Sequence, residues 1–311
     1  MIPGLFNPSA LLGVDLCPDS VRLIQLGLRQ RWRKTYYCVE ACAIQLIQPN
    51  TPDLSAATAM SRALQQAIQQ VGIQTRQVAV ALPASAIISK TITLPAVSDD
   101  EMAHRVRLEA ADQIPFPIEE AALDFTTLGP SATALNQVNV LLVAARREAV
   151  EQYMAIVQAA NLNCQIVDSL PLVIQRAYHT FCQPQAADNA PYALLDTDHG
   201  HLMVFLGSTL ICQHNTPTTS DQILHIVCEK LQTYLQTENP LAGLWLAGTY
   251  AANIAKSLTA LLKIPVAFAN PFIQMTLRPD VPVLSPDHEA PSMLVACSLA
   301  LRRFDTCHGS H

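Results

Sequence analysis

Apolar residues fill Leu11-Leu12-Gly13-Val14-Asp15-Leu16 and return in Val21-Arg22-Leu23-Ile24-Gln25-Leu26, on either side of Cys17-Pro18-Asp19-Ser20. Pro, Asp and Ser are turn formers, so the pattern predicts strand, tight turn, strand. Asp15 stands near the end of the first run. A carboxylate at a strand end beside turn amides can hold a magnesium-bound phosphate. A plain structural hairpin has the same form and is the more economical reading of this stretch alone.

The pattern continues with a turn over Gly27–Lys34, where Arg29, Arg31, Arg33 and Lys34 surround Trp32. Such a turn suits lipid headgroups or a partner, and equally a solvated hairpin tip. Tyr36–Leu46 reads as a third strand. Asp53–Val71 is a helix, capped by Ser55 and closed by Gly72. Gln77–Leu82 is a buried strand, and Ile87–Leu94 alternates as an amphipathic one. Ser98 with Glu101 forms a capping box for a second helix. That helix stops at Ile114-Pro115-Phe116-Pro117, where two prolines impose an extended, rigid corner. Strands follow at Ala122–Leu128 and Val138–Ala145, then a helix over Glu148–Ala160. A strand at Cys164–Val167 leads to Asp168, which is expected to cap a helix over Leu170–Phe181. Gln183–Pro191 is polar and proline-containing, and is the natural domain boundary.

Beyond it the opening pattern recurs. Tyr192-Ala193-Leu194-Leu195-Asp196 is an apolar strand ending in a carboxylate, and His199-Gly200-His201 makes the turn. Strands follow at Leu202–Leu206 and Thr209–His214, then a helix over Asp221–Leu235. Leu244–Gly248 is a strand and turn, Ala251–Leu262 a helix, Ile264–Val266 a short strand and Ser292–Phe304 a last helix. Strand, Asp, turn, strand thus occurs twice, which predicts a duplicated α/β unit with helix-covered mixed sheets. Two such domains facing a cleft would bring Asp15 and Asp196 toward each other, with room between them for a Mg-nucleotide.

Composition narrows the function. Half of the 311 residues are hydrophobic, 14% are charged and the net charge is -6, which argues against a nucleic-acid binder. The first residues lack a signal-peptide pattern, and no stretch holds about 18 consecutive apolar residues. The nine cysteines suit free thiols in a reducing cytoplasm. No C-x-x-C pair supports a zinc site. His225 with Cys228 reads as a core pair, and Cys307-His308-Gly309-Ser310-His311 as a frayed terminus. His104 reads as a surface residue. No Ser-His-Asp, Cys-His or metal-hydrolase set stands out.

Laid out this way, the chain resembles the PilM family of actin-like type IV pilus assembly proteins, from about Leu5 to Arg303. The sharpest part is Arg107-Leu108-Glu109-Ala110-Ala111-Asp112-Gln113-Ile114-Pro115-Phe116-Pro117-Ile118-Glu119-Glu120, followed by Ala122-Leu123-Asp124-Phe125. Val140–Glu148, Asn270-Pro271-Phe272 and Leu299-Ala300-Leu301-Arg302 support it. The resemblance implies an actin-like ATPase fold: a first core domain over 5–83 and 151–185, an inserted subdomain over 84–150, a second core domain over 190–305 with a shortened outer part, and a tail over 306–311. It implies a cytoplasmic protein, peripheral to the inner membrane, that holds the N-terminal tail of PilN in a groove between the first core domain and the insertion. Ile114, Pro115, Phe116 and Pro117 are the candidate groove residues, with bracing of the insertion as the alternative role. Contacts with other pilus machinery and self-association also belong to the implied picture.

For cofactors the resemblance implies ATP and Mg, held by Asp15, Ser20, Asp196 and Gly248. Here the sequence departs from the family's pattern. Cys17 and Pro18 replace Gly and Ser in the first turn, and proline has no amide to offer a phosphate. Asp196-Thr197-Asp198 replaces Asp-x-Gly and adds a negative charge. Gly248-Thr249 replaces Gly-Gly, and Ser298 a late Gly. Only Thr216–Gly243 is left for the helical subdomain that covers the nucleotide. Together these point to weak or absent nucleotide binding and to a scaffold. A nucleotide-switched ATPase of the same system is the alternative. An actin-fold kinase lacks its glycine-rich turns here, and a type II secretion relative would lead into a membrane span.

Overall fold

The computed structural model describes residues 10–31, 34–48, 55–73, 75–132, 134–186, 189–218 and 220–304. Residues 5–9, where the resemblance begins, Trp32, Arg33, Asp53 and the tail from 305 lie outside these residues. The chain divides into two compact units: Met1–Ala81 with Val157–His311, and Leu82–Ile156.

The larger unit holds two sheets. In the first half, β1 (Leu11–Leu16), β2 (Ser20–Arg31), β3 (Lys34–Leu46), β4 (Gln77–Leu82) and β8 (Asn163–Ser169) form a sheet closed at its edge by the short β14 (Thr276–Leu277), in the order β14-β3-β2-β1-β4-β8. In the second half, β9 (Pro191–Asp196), β10 (His201–Leu206), β11 (Thr209–Asn215), β12 (Gly243–Ala247) and β13 (Val266–Phe268) take the order β11-β10-β9-β12-β13. Without β14 the two orders are the same. The pairings match as well: β1 is antiparallel to β2 and parallel to β4, and β9 is antiparallel to β10 and parallel to β12. The duplication expected from the repeated strand–Asp–turn–strand pattern is therefore a duplication of topology.

The helices follow their local signals where those are strong. α1 (Ala56–Val71) starts at Ser55, whose side chain accepts from the Thr58 amide, and ends at Gly72 in the left-handed region. α4 (Leu170–Ala177) continues as a wider turn over Tyr178–Cys182. α5 (Ser220–Leu235) and α6 (Ala251–Leu262) cover one face of the second sheet through Ile223, Val227, Leu231, Ile254 and Leu258. α7 (Leu294–Leu301) is buried on every side, as a sequence apolar but for Ser298 requires. It crosses β1 at Gly13, where a Cβ would overlap the Ala296 carbonyl and the Ala300 amide nitrogen. Ser298 donates its hydroxyl to the Val173 carbonyl at 2.7 Å.

Two expectations for the larger unit change. Gly27–Arg31 is not a turn, because β2 runs on through it, paired with β3 as far as Arg31 and Lys34. A backbone ladder needs no buried face, so the exposed Arg29 and Gln30 extend it past the core. Asp168 does not cap α4. Its carboxylate reaches Arg176 at 3.0 Å and Arg302 at 3.4 Å, tying α4 to the end of α7.

Tyr178 is fully buried and stacks on Phe205 with ring centroids 3.8 Å apart. Among the described residues its hydroxyl has no hydrogen-bond partner, and burial, with Cys182 and Tyr192 beside it, pushes the phenol up to about 12. Tyr178→Phe should therefore raise stability by about 1 kcal/mol in urea unfolding at neutral pH, by removing a desolvated hydroxyl. The raised phenol also gives the wild type stability that is complete below pH 10 and lost as pH climbs toward 12. That alkaline loss should be smaller in the variant, and a destabilised variant at pH 7 would mean that the hydroxyl is satisfied.

The smaller unit is a three-stranded antiparallel sheet in the order β5-β7-β6, made of β5 (Ile87–Pro95), β6 (Ala121–Pro130) and β7 (Gln137–Arg146). α2 (Asp99–Gln113) lies on one face, and Met102, Val106 and Ala110 pack on Ile92, Leu94, Val140 and Leu142. Ser98 marks the helix start, but its hydroxyl makes no capping bond. Glu101 instead pairs with Arg105. α3 (Arg147–Ala159) leads out of this unit. Among the described residues no helix is long and apolar enough to cross a membrane.

Candidate functional site

The two hairpin carboxylates do come together, and a third residue joins them. The β1–β2 register sets Asp15 opposite Arg22, and Asp196 ends β9. In the turn after β9, His199 places Nδ1 2.9 Å from Asp196 Oδ2 and Nε2 3.0 Å from Asp15 Oδ1. Both ring nitrogens thus face acceptor-only carboxylates, the geometry of an imidazolium bridging two anions. Asp196 is held further by the amides of Asp198 and His199, at 3.0 and 3.3 Å from Oδ1.

Arg22 closes the other side. It is a buried arginine, 1% exposed, in an apolar strand. Its Nη1 lies 3.2 Å from Asp15 Oδ2, 2.8 Å from Asp198 Oδ2 and 3.2 Å from Cys17 Sγ. Its Nη2 donates to Ser20 Oγ at 3.0 Å and Thr249 Oγ1 at 2.8 Å. Asp198 in turn accepts from the Thr249 amide at 2.9 Å. The first half of the unit is so joined to the second by two charged bridges, through Arg22 and through His199.

The electrostatics follow from burial and pairing. Burial pushes the Asp15 and Asp196 carboxyls up, but the His199 charge and hydrogen bonds outweigh it. Asp15 ends below its ordinary range and Asp196 at about 2. Burial pulls His199 down, yet Asp15 and Asp196 together hold it well above an ordinary histidine. Asp198 is pushed up to about 6 by burial and by Asp196, against the pull of Arg22. Burial next to Asp15 lifts the Cys17 thiol to about 12.

Mg-ATP, expected from the family resemblance, does not fit the residues as they stand. Asp15 and Asp196 are both spent on side-chain cations. The amides that would cradle phosphate are spent too: Cys17 N–H donates to the Ser20 carbonyl at 2.9 Å, Gly248 N–H to the Pro291 carbonyl at 3.1 Å, and Thr249 N–H to Asp198. Pro18 has none. Gly248 has φ +95°, and Thr197 and Asp198 crowd the side on which a Cβ would stand. Ser20, buried, donates to Asp19 and accepts from Arg22. Of the four residues named for cofactor binding, Asp15, Ser20 and Asp196 line one closed polar network, and Gly248 borders it.

Sequence reasoning missed His199 and Arg22. Arg22 carried a local signal, since a cation in an apolar strand directly across from a carboxylate is a cross-strand pair. His199 carried none beyond its place in the turn, because its partner Asp15 is 184 residues away.

The other named site is the corner after α2, in the smaller unit. Ile114 is buried with Ala121 and Ala144, and Phe116 packs half-buried on that cluster. The Arg146 guanidinium lies 4.5 Å from the Phe116 ring centroid and also pairs with Glu120 at 2.8 Å. Pro115 and Pro117 are exposed.

A family model described as type IV pilus assembly protein PilM matches residues 13–205. A solved structure titled "PilM-PilN type IV pilus biogenesis complex" is similar at 20% identity with a TM-score of 0.72, over 95% of this chain and 99% of that one. The cytoplasmic domain of EpsL from Vibrio cholerae, described as an inner membrane component of the type II secretion system, is similar at 14% identity with a TM-score of 0.48, over 94% of this chain and 95% of that one. EutJ, an ethanolamine utilization protein from Carboxydothermus hydrogenoformans, is similar at 11% identity and a TM-score of 0.48, over 96% and 91%. The fold is actin-like, with the duplicated sheet order as its internal mark.

Proposed function

We propose, starting from the premise that this chain belongs to the PilM family of type IV pilus assembly proteins, that it is a nucleotide-independent adaptor in pilus assembly. It recruits the N-terminal cytoplasmic tail of a PilN-type partner and thereby sits peripheral to the inner membrane. One observation carries the nucleotide-independent part: His199 and Arg22 occupy both hairpin carboxylates. A nucleotide would have to break three ion pairs, Arg22–Asp15, His199–Asp15 and His199–Asp196, before gaining a contact, and stranding buried charges costs several kcal/mol.

The partner surface is the corner Ile114-Pro115-Phe116-Pro117. Ile114 anchors it from below. Pro115 and Pro117 hold it extended and present a rigid apolar edge, and Phe116 is fixed under Arg146. A short extended tail binds such a surface through a few apolar pockets and backbone hydrogen bonds. The preformed corner loses little entropy on binding.

Calorimetry with a synthetic peptide of the PilN N-terminus tests both parts. The peptide should bind equally well with and without Mg-ATP, and Mg-ATP alone should give no heat at micromolar protein. Phe116→Ala should weaken the peptide by about tenfold, the loss of one apolar anchor. Micromolar Mg-ATP affinity abolished by Asp196→Ala would overturn the nucleotide-independent reading in favour of a switched ATPase. Unchanged peptide binding by a folded Phe116→Ala would remove the corner from the interface.

A further inference from the structure

The polar network brings together three donor atoms, two of which, a thiol sulfur and an imidazole nitrogen, magnesium does not favour. Cys17 Sγ lies 3.5 Å from His199 Nε2 and 3.5 Å from Asp15 Oδ2, and His199 Nε2 lies 3.0 Å from Asp15 Oδ1. With one oxygen taken from Asp15, the three donors lie within 4.8 Å of one another. We propose that Asp15, Cys17 and His199 form a binding site for a zinc-class divalent ion, seated where the actin-like fold places a nucleotide.

Four features carry this. Thiolate, imidazole and carboxylate together are a zinc donor set, whereas magnesium takes oxygen ligands. Zinc bonds of about 2.0–2.3 Å set neighbouring tetrahedral ligands about 3.3–3.6 Å apart. The sulfur–imidazole contact already has this length; the sulfur and the imidazole meet different oxygens of Asp15, so its carboxylate must turn to offer one oxygen to the ion, within the 4.8 Å that spans the three donors.

Second, the outer partners are in place. His199 gives its other nitrogen, Nδ1, to Asp196 at 2.9 Å, the carboxylate–histidine arrangement that orients metal-bound imidazoles. Asp196 is itself fixed by two backbone amides. Arg22 donates to the sulfur and to Asp15. These bonds can stay while a metal approaches the remaining lone pairs.

Third, charge balances. The Cys17 thiol proton and the His199 Nε2 proton both leave to solvent, and a divalent cation takes their place. The net charge of the buried cluster is then unchanged, so no uncompensated charge is created. Fourth, an entry path exists. The His199 side chain keeps 12% exposure, and Pro18, next to Cys17 in the chain, and Thr249, which bonds Arg22 and Asp198, are exposed. Three protein ligands leave the fourth tetrahedral position to solvent.

One departure from the family's turn, Cys17, also supplies a ligand to this site. Cys17 replaces a turn residue of the family, and His199 supplies the ligand from the opposite hairpin. The inference stands apart from the adaptor proposal, since it concerns the larger unit and makes no use of the partner.

The test is titration of the metal-free, full-length, reduced protein with Co2+ and then Zn2+. One Co2+ per chain should bind, with a sulfur-to-cobalt charge-transfer band and visible bands of tetrahedral intensity. Zn2+ should displace it, and about two protons should be released per ion. Cys17→Ser should abolish the charge-transfer band, and His199→Gln should abolish stoichiometric binding. Asp196→Asn keeps all three ligands and should weaken binding about 10- to 100-fold. Cys212→Ser tests the other thiol–imidazole contact, 3.6 Å from His214, and Cys307→Ser tests the tail. Both should leave the band intact. No stoichiometric cobalt band in the wild type would overturn the proposal whatever the variants do. So would a band that survives Cys17→Ser, or one lost with Cys212→Ser or Cys307→Ser.

Discussion

Arg22→Met should lower stability by about 4 kcal/mol in urea unfolding at pH 7 with EDTA present, the scale expected when one partner of a buried ion pair is removed. Methionine fills much of the space, so packing is not the main loss. The cost is electrostatic. Asp15 and Asp198 lose the cation that faces them at 3.2 and 2.8 Å, in a place water reaches poorly. Surface pairs such as Glu101–Arg105, with both side chains at least 40% exposed, should cost under about 1 kcal/mol when broken.

The loss should depend on pH in a definite direction. Burial already raises Asp198 to about 6 with Arg22 present, and without Arg22 it rises further. A carboxyl raised above its unfolded value keeps the fold's stability at low pH and loses it as pH climbs through the folded value. Arg22→Met should therefore be milder at pH 5 than at pH 7. Adding Asp198→Asn should recover part of the loss, since it removes one stranded charge. A loss under about 1 kcal/mol at pH 7, or no recovery in the double variant, would show that the network does not hold the two halves of the larger unit together.

Gly13→Ala should be nearly as damaging, by a different mechanism. The added methyl would overlap the Ala296 carbonyl oxygen and the Ala300 nitrogen, both backbone atoms of α7. α7 is buried on every side, so neither it nor β1 has room to retreat. Overpacking against backbone belongs at the top of the usual range, about 3 kcal/mol. Gly27→Ala is the control. The atoms nearest its methyl all belong to the Glu40 side chain, which can swing aside for the loss of its hydrogen bond from Gln25 Nε2, so the cost should be about 1 kcal/mol. Equal losses in thermal unfolding would refute the close-approach account of Gly13.

The contrast between these glycines shows where sequence reading reaches its limit. Both sit in apolar strands and nothing local separates them. Gly13 is constrained because α7, almost three hundred residues later, lies across it. The same holds in the site. Cys17 and Pro18 announced that phosphate would be poorly held, because their chemistry is a property of the residue itself. That His199 would reach from one hairpin to the other's carboxylate had no local signature. Asp168 misled for the same reason: its place ahead of a helix suggested a cap, while Arg176 and Arg302 supplied stronger partners. The Gly27–Arg31 stretch misled in the opposite direction. Its charges suggested a turn, but β3 offered a hydrogen-bonding edge that side-chain polarity does not forbid.

By itself the sequence determined the elements, their duplication and the family. Periodicity, turn residues and caps act within a few residues of each other, and the double-proline corner is a local conformational constraint. Only the tertiary structure decided what the two aspartates do. Their separation along the chain is spanned by two sheets whose register aims Arg22 and His199 at the same few ångströms. Paired charges in a buried place are far more stable than unpaired ones, so the carboxylates that mark a nucleotide cleft in sequence become, in the fold, the centre of a closed ion network with a thiol at its edge.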